Sequence, residues 1–379
     1  MNSRLSRILL LATLMAGVMA MTGVHPIWAE TPSAPRETPS APRETPSRET
    51  PSGETPSAFD AMPAPAPASP ADDDLLPMPT QPGLDGAWSG EDVGPGGDIA
   101  FGAYQRGLYL TAFLAATGRL EDDPADAPAM TLIGELYRDG LGLPRDLERA
   151  RDWYALAARL GDPHAEFALG EIALEGTRSD TETEQETAQS RADARGHFRR
   201  AAEAGHAAAA YNLALLLFED DDAATQGEAV RWLQQAADAE IPAAQYLLAV
   251  LYRDGTGVDA DAARATALLH RAARNGHVPA MLEYGIAVFN GAGVAPDEAR
   301  AATWLRRAAW HGDALARNRL ALLYAAGRGV EADRVEAAAW HLLAASQGLE
   351  DERLDAALRD LTQEERARAE ALARDRAWP

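Results

Sequence analysis

Hydrophobic and polar positions fall into two regimes that meet near Asp98. Ahead of it, beyond a short apolar start, almost nothing is apolar with a regular period. Behind it, Ala and Leu recur in a pattern that repeats along the chain. The residue after each long Ala-rich segment marks the period: Gly161, Gly205, Glu240, Gly276, Gly312 and Gly348, at steps of 44, 35, 36, 36 and 36. Eight residues before each marker stand Trp153, His197, Trp232, Leu268, Trp304 and Trp340. Four and three before it stand Ala pairs, from Ala157-Ala158 to Ala344-Ala345, and a further Ala lies three residues ahead of the large position (Ala150, Ala194, Ala229, Ala265, Ala301, Ala337). These spacings share one side of a helix, with small residues admitting a neighbour and a large one filling the gap.

The start of that helix has its own signal. Seven residues before the large position lie Asp146, Ser190, Thr225, Asp261, Asp297 and Asp333, each able to cap free backbone N–H groups. Thr225 and Glu228 have the spacing of a capping box. A second helix follows each marker, through Ala165, Ala209, Ala244, Ala280 and Ala316, then Leu169, Leu213, Leu248, Tyr284 and Leu320, then Gly or Ala. An earlier copy fits Ala129, Ile133, Gly134 and Tyr137. Most of these helices should end at Gly140, Gly176, Gly255, Gly291 or Gly327, where glycine takes a left-handed cap. Each unit therefore reads as helix, Gly-rich turn, helix, and the predicted fold is all-α: an α-solenoid of stacked antiparallel helix pairs.

Around this array, residues 1–29 read as a signal peptide. Arg4 and Arg7 precede an apolar or small run from Ile8 to Val24, and small-residue exits follow at Ala20 and Ala29. The expected location is periplasmic or secreted; an uncleaved segment would instead anchor the chain in the inner membrane. Residues 30–97 read as a disordered linker. The unit Glu-Thr-Pro-Ser starts at Glu30, Glu37, Glu44, Glu49 and Glu54, and Pro- and then Gly-rich sequence follows. Residues 98–124 read as a degenerate opening helix pair, 125–348 as six repeats, and 349–379 as helices that close the last apolar face. Residues 177–189 are a polar insertion, and 219–224 form an acidic turn lacking the glycines.

Composition narrows function mainly by exclusion. The chain of 379 residues has 58 acidic and 35 basic side chains, a net charge of -23, so nucleic acid is not an expected partner. An anionic lipid surface is disfavoured too, and membrane contact is expected only if the N-terminal segment stays uncleaved. Every basic residue is Arg, and there is neither Lys nor Cys. That removes thiol nucleophiles, thiolate metal sites, Schiff-base lysines and Ser-x-x-Lys pairs. The eight histidines form no zinc pair with a glutamate partner, so no metal site, cofactor or catalytic residue is expected. Gly-x-Gly recurs, but after a helix rather than a strand, which rejects a dinucleotide fingerprint.

The units resemble the Sel1-like repeat, a tetratricopeptide-like module of exported bacterial proteins. The resemblance is carried by Ile133-Gly134-Glu135-Leu136-Tyr137, Gly140-Leu141-Gly142-Leu143 and Trp153-Tyr154. Tyr324, Gly327-Arg328-Gly329-Val330 and Trp340 carry it again near the other end. It implies a right-handed superhelix whose concave face, lined by the first helices, binds a peptide or protein, with the chain acting as a non-catalytic scaffold or adaptor for an envelope or secreted partner. Candidate contacts vary while the frame stays fixed: Glu135, Glu171, Asn212, Tyr246, Glu283 and Arg319. Two other functions follow from the same resemblance. One is negative regulation of an envelope sensor of exopolysaccharide signalling, since Asp98 to Tyr104 is similar to the opening of such regulators. The other is a cell-wall-active enzyme, which the missing Cys and Ser-x-x-Lys disfavour.

Overall fold

The computed structural model describes residues 98–176, 183–220 and 222–377. The segments read as signal peptide and linker, and the first half of the polar insertion, lie outside these residues. Among the described residues the structure is all helical. An opening pair, α1 (Ile99–Gln105) and α2 (Tyr109–Asp122), precedes six further pairs. These are α3 (Ala127–Asp139) with α4 (Leu147–Arg159), α5 (Pro163–Gly176) with α6 (Glu184–Glu203), and α7 (Ala207–Phe218) with α8 (Ala223–Asp238). Next come α9 (Pro242–Asp254) with α10 (Ala262–Arg274), α11 (Val278–Asn290) with α12 (Glu298–Trp310), and α13 (Ala314–Ala326) with α14 (Arg334–Ala345). Two closing helices, α15 (Glu352–Arg359) and α16 (Gln363–Ala377), pack on the last pair. Each helix packs chiefly on its neighbours in the chain, which is how a solenoid hides faces that no single pair could bury.

The marker residues prove to be backbone hinges. Gly161, Gly205, Gly276, Gly312 and Gly348 all have φ between 85° and 91°, and Glu240 holds the same left-handed turn at φ 61°. Glu240 is the one non-glycine residue in that region among the described residues. Its carboxylate compensates by accepting from Arg271 of the next pair, from the buried Gln245 and from Asn275. The Arg271 bond, then those from Gln245 and Asn275, pull its pKa down to about 2. In the Gly-x-Gly turns the first glycine is the left-handed C-cap of α3, α9, α11 or α13. The second approaches the preceding pair so closely that a Cβ on Gly293 would lie 2.1 Å from the Ala262 carbonyl oxygen.

Four of the six sequence-assigned caps hold: Asp146, Asp261, Asp297 and Asp333 each accept from the backbone of the following turn. Two do not. Helix α6 starts seven residues before Ser190, at a complete capping box of Thr183 and Glu186, so the second half of the polar insertion is helix. Helix α8 starts at Asp222, which accepts from Ala224 and Thr225 N–H groups, and Thr225 lies inside the helix rather than capping it. In both places the preceding residues are good helix formers, so the helix runs on to an earlier cap.

The principal contact within a pair belongs to the residue after the large position. Tyr154, Phe198, Leu233, Leu269, Leu305 and His341 are all buried. They face the small residue of the partner helix: Gly134 against the Tyr154 ring, Gly170 against the Phe198 ring, Gly285 against Leu305. The large residues one position earlier form the adjoining layer. Trp304 meets Tyr284 and His270 edge-on, with centroids 5.5 and 5.7 Å away, while Trp232 and His197 are only half-buried. At the end of the stack, Arg376 of α16 lies over the Trp340 ring and makes a two-armed ion pair with Glu336.

Candidate binding face

The first helices carry all six residues assigned from sequence, but the structure does not gather them into one site. Three are tied to neighbouring first helices. Arg138 of α3 donates to Glu171 of α5 at 2.9 Å. Tyr246 of α9 donates to Glu283 of α11 at 2.8 Å, and Arg253 reaches the other Glu283 oxygen. Asn212 is half-buried on α7, Arg319 is exposed on α13, and Glu135 is half-buried on α3. Glu171, Tyr246 and Glu283 thus make the bonds that set one repeat against the next.

Part of that bonding follows a rule the sequence reading missed. In four of the six repeats the fifth residue of the first helix engages the residue ahead of the next first helix. Thr131 hydrogen-bonds Asp162, Phe167 stacks on His206 at 4.5 Å, Tyr246 packs on His277 at 4.7 Å, and Asn318 reaches Asp351 at 3.3 Å. His206 and His277 are helix caps whose Nδ1 accepts from Ala209 and Ala280 N–H groups, which requires neutral imidazole. Burial lowers both pKa values to about 4, which keeps the acceptor available at neutral pH.

Four residues further on lies a row that changes character along the stack: Glu135, Glu171, Leu215, Val250, Ile286 and Leu322. Its apolar members are buried or half-buried. Its acidic end is a cluster of polar groups drawn from four helices. Arg138, mostly buried, pairs with Glu171 and, at 3.4 Å, with Asp139. Burial dominates at Glu135 and raises its pKa despite the field of Arg138 and a favourable interaction with the Tyr154 hydroxyl. Tyr104 of α1 faces the same carboxylates; burial, then Glu135 and Asp139, push its pKa up to about 12. Among the described residues, no group of three or more His, Asp and Glu side chains is placed to hold a metal ion, and no helix is long and apolar enough to cross a membrane.

The Sel1 repeat family matches residues 127–162, 163–206, 207–240, 242–277, 278–313 and 314–349, together more than half of the chain. Each matched segment ends on a left-handed marker or one residue past it. No curated protein is similar enough to be matched. Among solved structures, the chain is similar to c5321, described as a protective antigen of uropathogenic Escherichia coli strains displaying an SLR fold. The identity is 26% and the TM-score 0.59, over 73% of this chain and 59% of that one. It is also similar to a Sel1 repeat protein from Oxalobacter formigenes, at 27% identity and TM-score 0.53, over 66% of this chain and 98% of that one. The chain therefore spans well under two thirds of the Escherichia coli antigen. Six consecutive matches in register with the hinges, on a stack that shares its fold with both proteins, make this chain a member of the Sel1 repeat family.

Proposed function

We propose that this protein is an exported, non-catalytic scaffold that binds a peptide or protein of the cell envelope along the face formed by its first helices. Sel1 repeats generally serve as protein–protein interaction scaffolds. The observation that carries the reading is the row from Glu135 to Leu322. The position just before it is Gly or Ala in every repeat, whereas this row passes from acidic to apolar. Such variation on a constant frame is what a surface fitted to one extended partner requires. Export rests on the basic and apolar pattern of residues 1–29, and the Pro-rich stretch after it would hold the repeats away from the export site.

The test is capture with the full chain from the envelope of the source bacterium, followed by crosslinking. Arg319→Glu with Asn212→Asp alters this face outside the interlocking bonds. Arg264→Glu alters the opposite helix of a pair, where the side chain is exposed. A partner lost with the first pair and retained with the second supports the proposal. A folded, monodisperse chain that captures nothing, or a partner indifferent to both changes, refutes it.

A further inference from the structure

The hinges that join the repeats share a layout, and one of them holds a charge that no carboxylate of the chain meets. The places concerned are the fifth residue after the left-handed marker and the residues five and one before the next marker. At the first joint the fifth residue is Glu166, which accepts both arms of Arg200, five before the next marker. At the third joint the marker itself is Glu240, and its carboxylate accepts from Gln245, Arg271 and Asn275, which fill all three places. Gln245 also donates to the Ala237 carbonyl, three residues before the marker, at 3.1 Å. At the second and fourth joints the fifth residue is Ala210 or Met281, so no charge is buried at that place.

At the fifth joint, around Gly312, the three places hold Arg317, Leu343 and Gln347. Arg317 Nε donates to the Ala309 carbonyl at 3.1 Å, the counterpart of the bond from Gln245 to Ala237. A neutral amide suffices for that bond, so the packing does not call for a charge. Yet Arg317 is only 9% exposed, and among the described residues its side chain makes this one hydrogen bond and no ion pair. Burial pulls its pKa down, and the field of Asp313 restores it only in part. The Asp313 carboxylate instead accepts from the Ala316 N–H as a helix cap. At Arg119, Arg138 and Arg253 burial acts in the same sense, and carboxylate partners outweigh it. A buried guanidinium whose terminal amino groups are uncommitted is costly, and this one persists in a chain with 58 acidic side chains.

Space for a carboxylate is present. A Cβ on Gly312 would meet nothing within 4 Å except Arg317 Nη2, at 3.9 Å, so the guanidinium borders the direction in which Glu240 extends at the third joint. Gln347 stands where Asn275 does and donates to the Gly312 carbonyl at 3.1 Å, with a second N–H to give. The fifth joint is thus the third with its carboxylate removed and a guanidinium in place of the Gln245 amide. We propose that it binds a carboxylate from outside the chain, carried on a peptide, with the Arg317 amino groups donating to the two oxygens and Gln347 contributing a further N–H. Trp310 and Leu315, both exposed, offer the peptide apolar surface at the same hinge. The site lies outside the row from Glu135 to Leu322 and stands whether or not that row takes a partner.

The experiment is calorimetric titration of the full chain with three acetylated pentapeptides that differ only in where a carboxylate sits. One has a central glutamate and an amidated end, one a central glutamine and a free carboxyl end, and one a central glutamine and an amidated end. At least one of the two carboxylate peptides is expected to bind about tenfold more tightly than the neutral one, and which does so names the source as side chain or chain end. Arg317→Gln can keep the Ala309 bond as Gln245 keeps its own, so it should melt no lower than the parent while losing that preference. Gly312→Glu supplies the carboxylate from within, in a turn that Glu240 already adopts, and should abolish the preference too. Arg264→Gln, an exposed arginine on another repeat, should retain it. A residue serving only the fold would lower the melting temperature and leave the peptides undistinguished. Equal binding of all three peptides, binding of none, or a preference that survives Arg317→Gln or Gly312→Glu overturns the proposal.

Discussion

The contact between Gly170 and Phe198 offers a sharp test of how each repeat is held together. A Cβ at Gly170 would lie 2.5 Å from Phe198 Cε1 and 2.7 Å from Cδ1, and that ring is fully buried. Gly170→Ala should gain about 1 kcal/mol in helix propensity. It should also lose about 1–3 kcal/mol to overpacking, for a net destabilisation of about 1 kcal/mol. Gly227, also helical, has nothing within 4 Å of its would-be Cβ, so Gly227→Ala should stabilise by about 0.5–1 kcal/mol. The equivalent pairs in the third and fourth repeats, Ala214 with Leu233 and Ala249 with Leu269, match an alanine to a smaller side chain. Phe198→Leu alone should cost about 1 kcal/mol. In the double variant the two changes should offset each other by at least about 1 kcal/mol. Urea unfolding with the slope held common to all four proteins measures the cycle. An additive double variant, or a Gly170→Ala as stabilising as Gly227→Ala, would falsify the size-matching account.

Three further outcomes are expected. Trp304→Ala should cost about 3–5 kcal/mol as a large-to-small change at a buried position packed edge-on to Tyr284 and His270, and an unchanged melting curve would contradict that placement. Gly293→Ala should lose about 2–4 kcal/mol, combining left-handed backbone strain with collision against the Ala262 carbonyl; Gly276→Ala, with the strain but open space, should lose less, and equal losses would show that the close approach is unimportant. His206 and His277 have folded pKa values lowered from 6.5 to about 4, so the unfolded chain binds more protons between those values. Their contribution is complete above pH 6.5 and is lost as pH falls through the folded value near 4, about 1–2 kcal/mol each by pH 5. The caps His206→Asn and His277→Asn should flatten stability over that window, and a parental pH profile in the double variant would refute the neutral-cap assignment.

What could be read in the sequence, and what could not, follows from the range of the forces involved. The period, the helix pairs, the Gly-x-Gly turns and the caps at Asp146, Asp261, Asp297 and Asp333 are local. Each depends on backbone groups within a few residues, and the chain repeats the solution until it is unmistakable. Ser190 and Thr225 fit the same register but lost to Thr183 and Asp222, because a helix extends to the earlier cap when the residues between favour it. On the binding face the sequence marked the right helices, yet half of its six residues proved to be bonded between repeats. Glu171, Tyr246 and Glu283 look variable from within one repeat and are constrained from the next, some thirty-odd residues away. The corner at Glu135 and Tyr154 was half visible, as one acidic residue in a list. Nothing local says that Tyr154, nineteen residues on, would be buried against Gly134 with its hydroxyl beside that carboxylate. By itself the sequence determined how often the chain turns and which side of each helix goes inward, since both are set by spacing along the backbone. Which polar groups find partners, and which are left facing one another, was decided only when successive repeats stacked, because desolvation and hydrogen bonding act across space between residues that no local pattern connects.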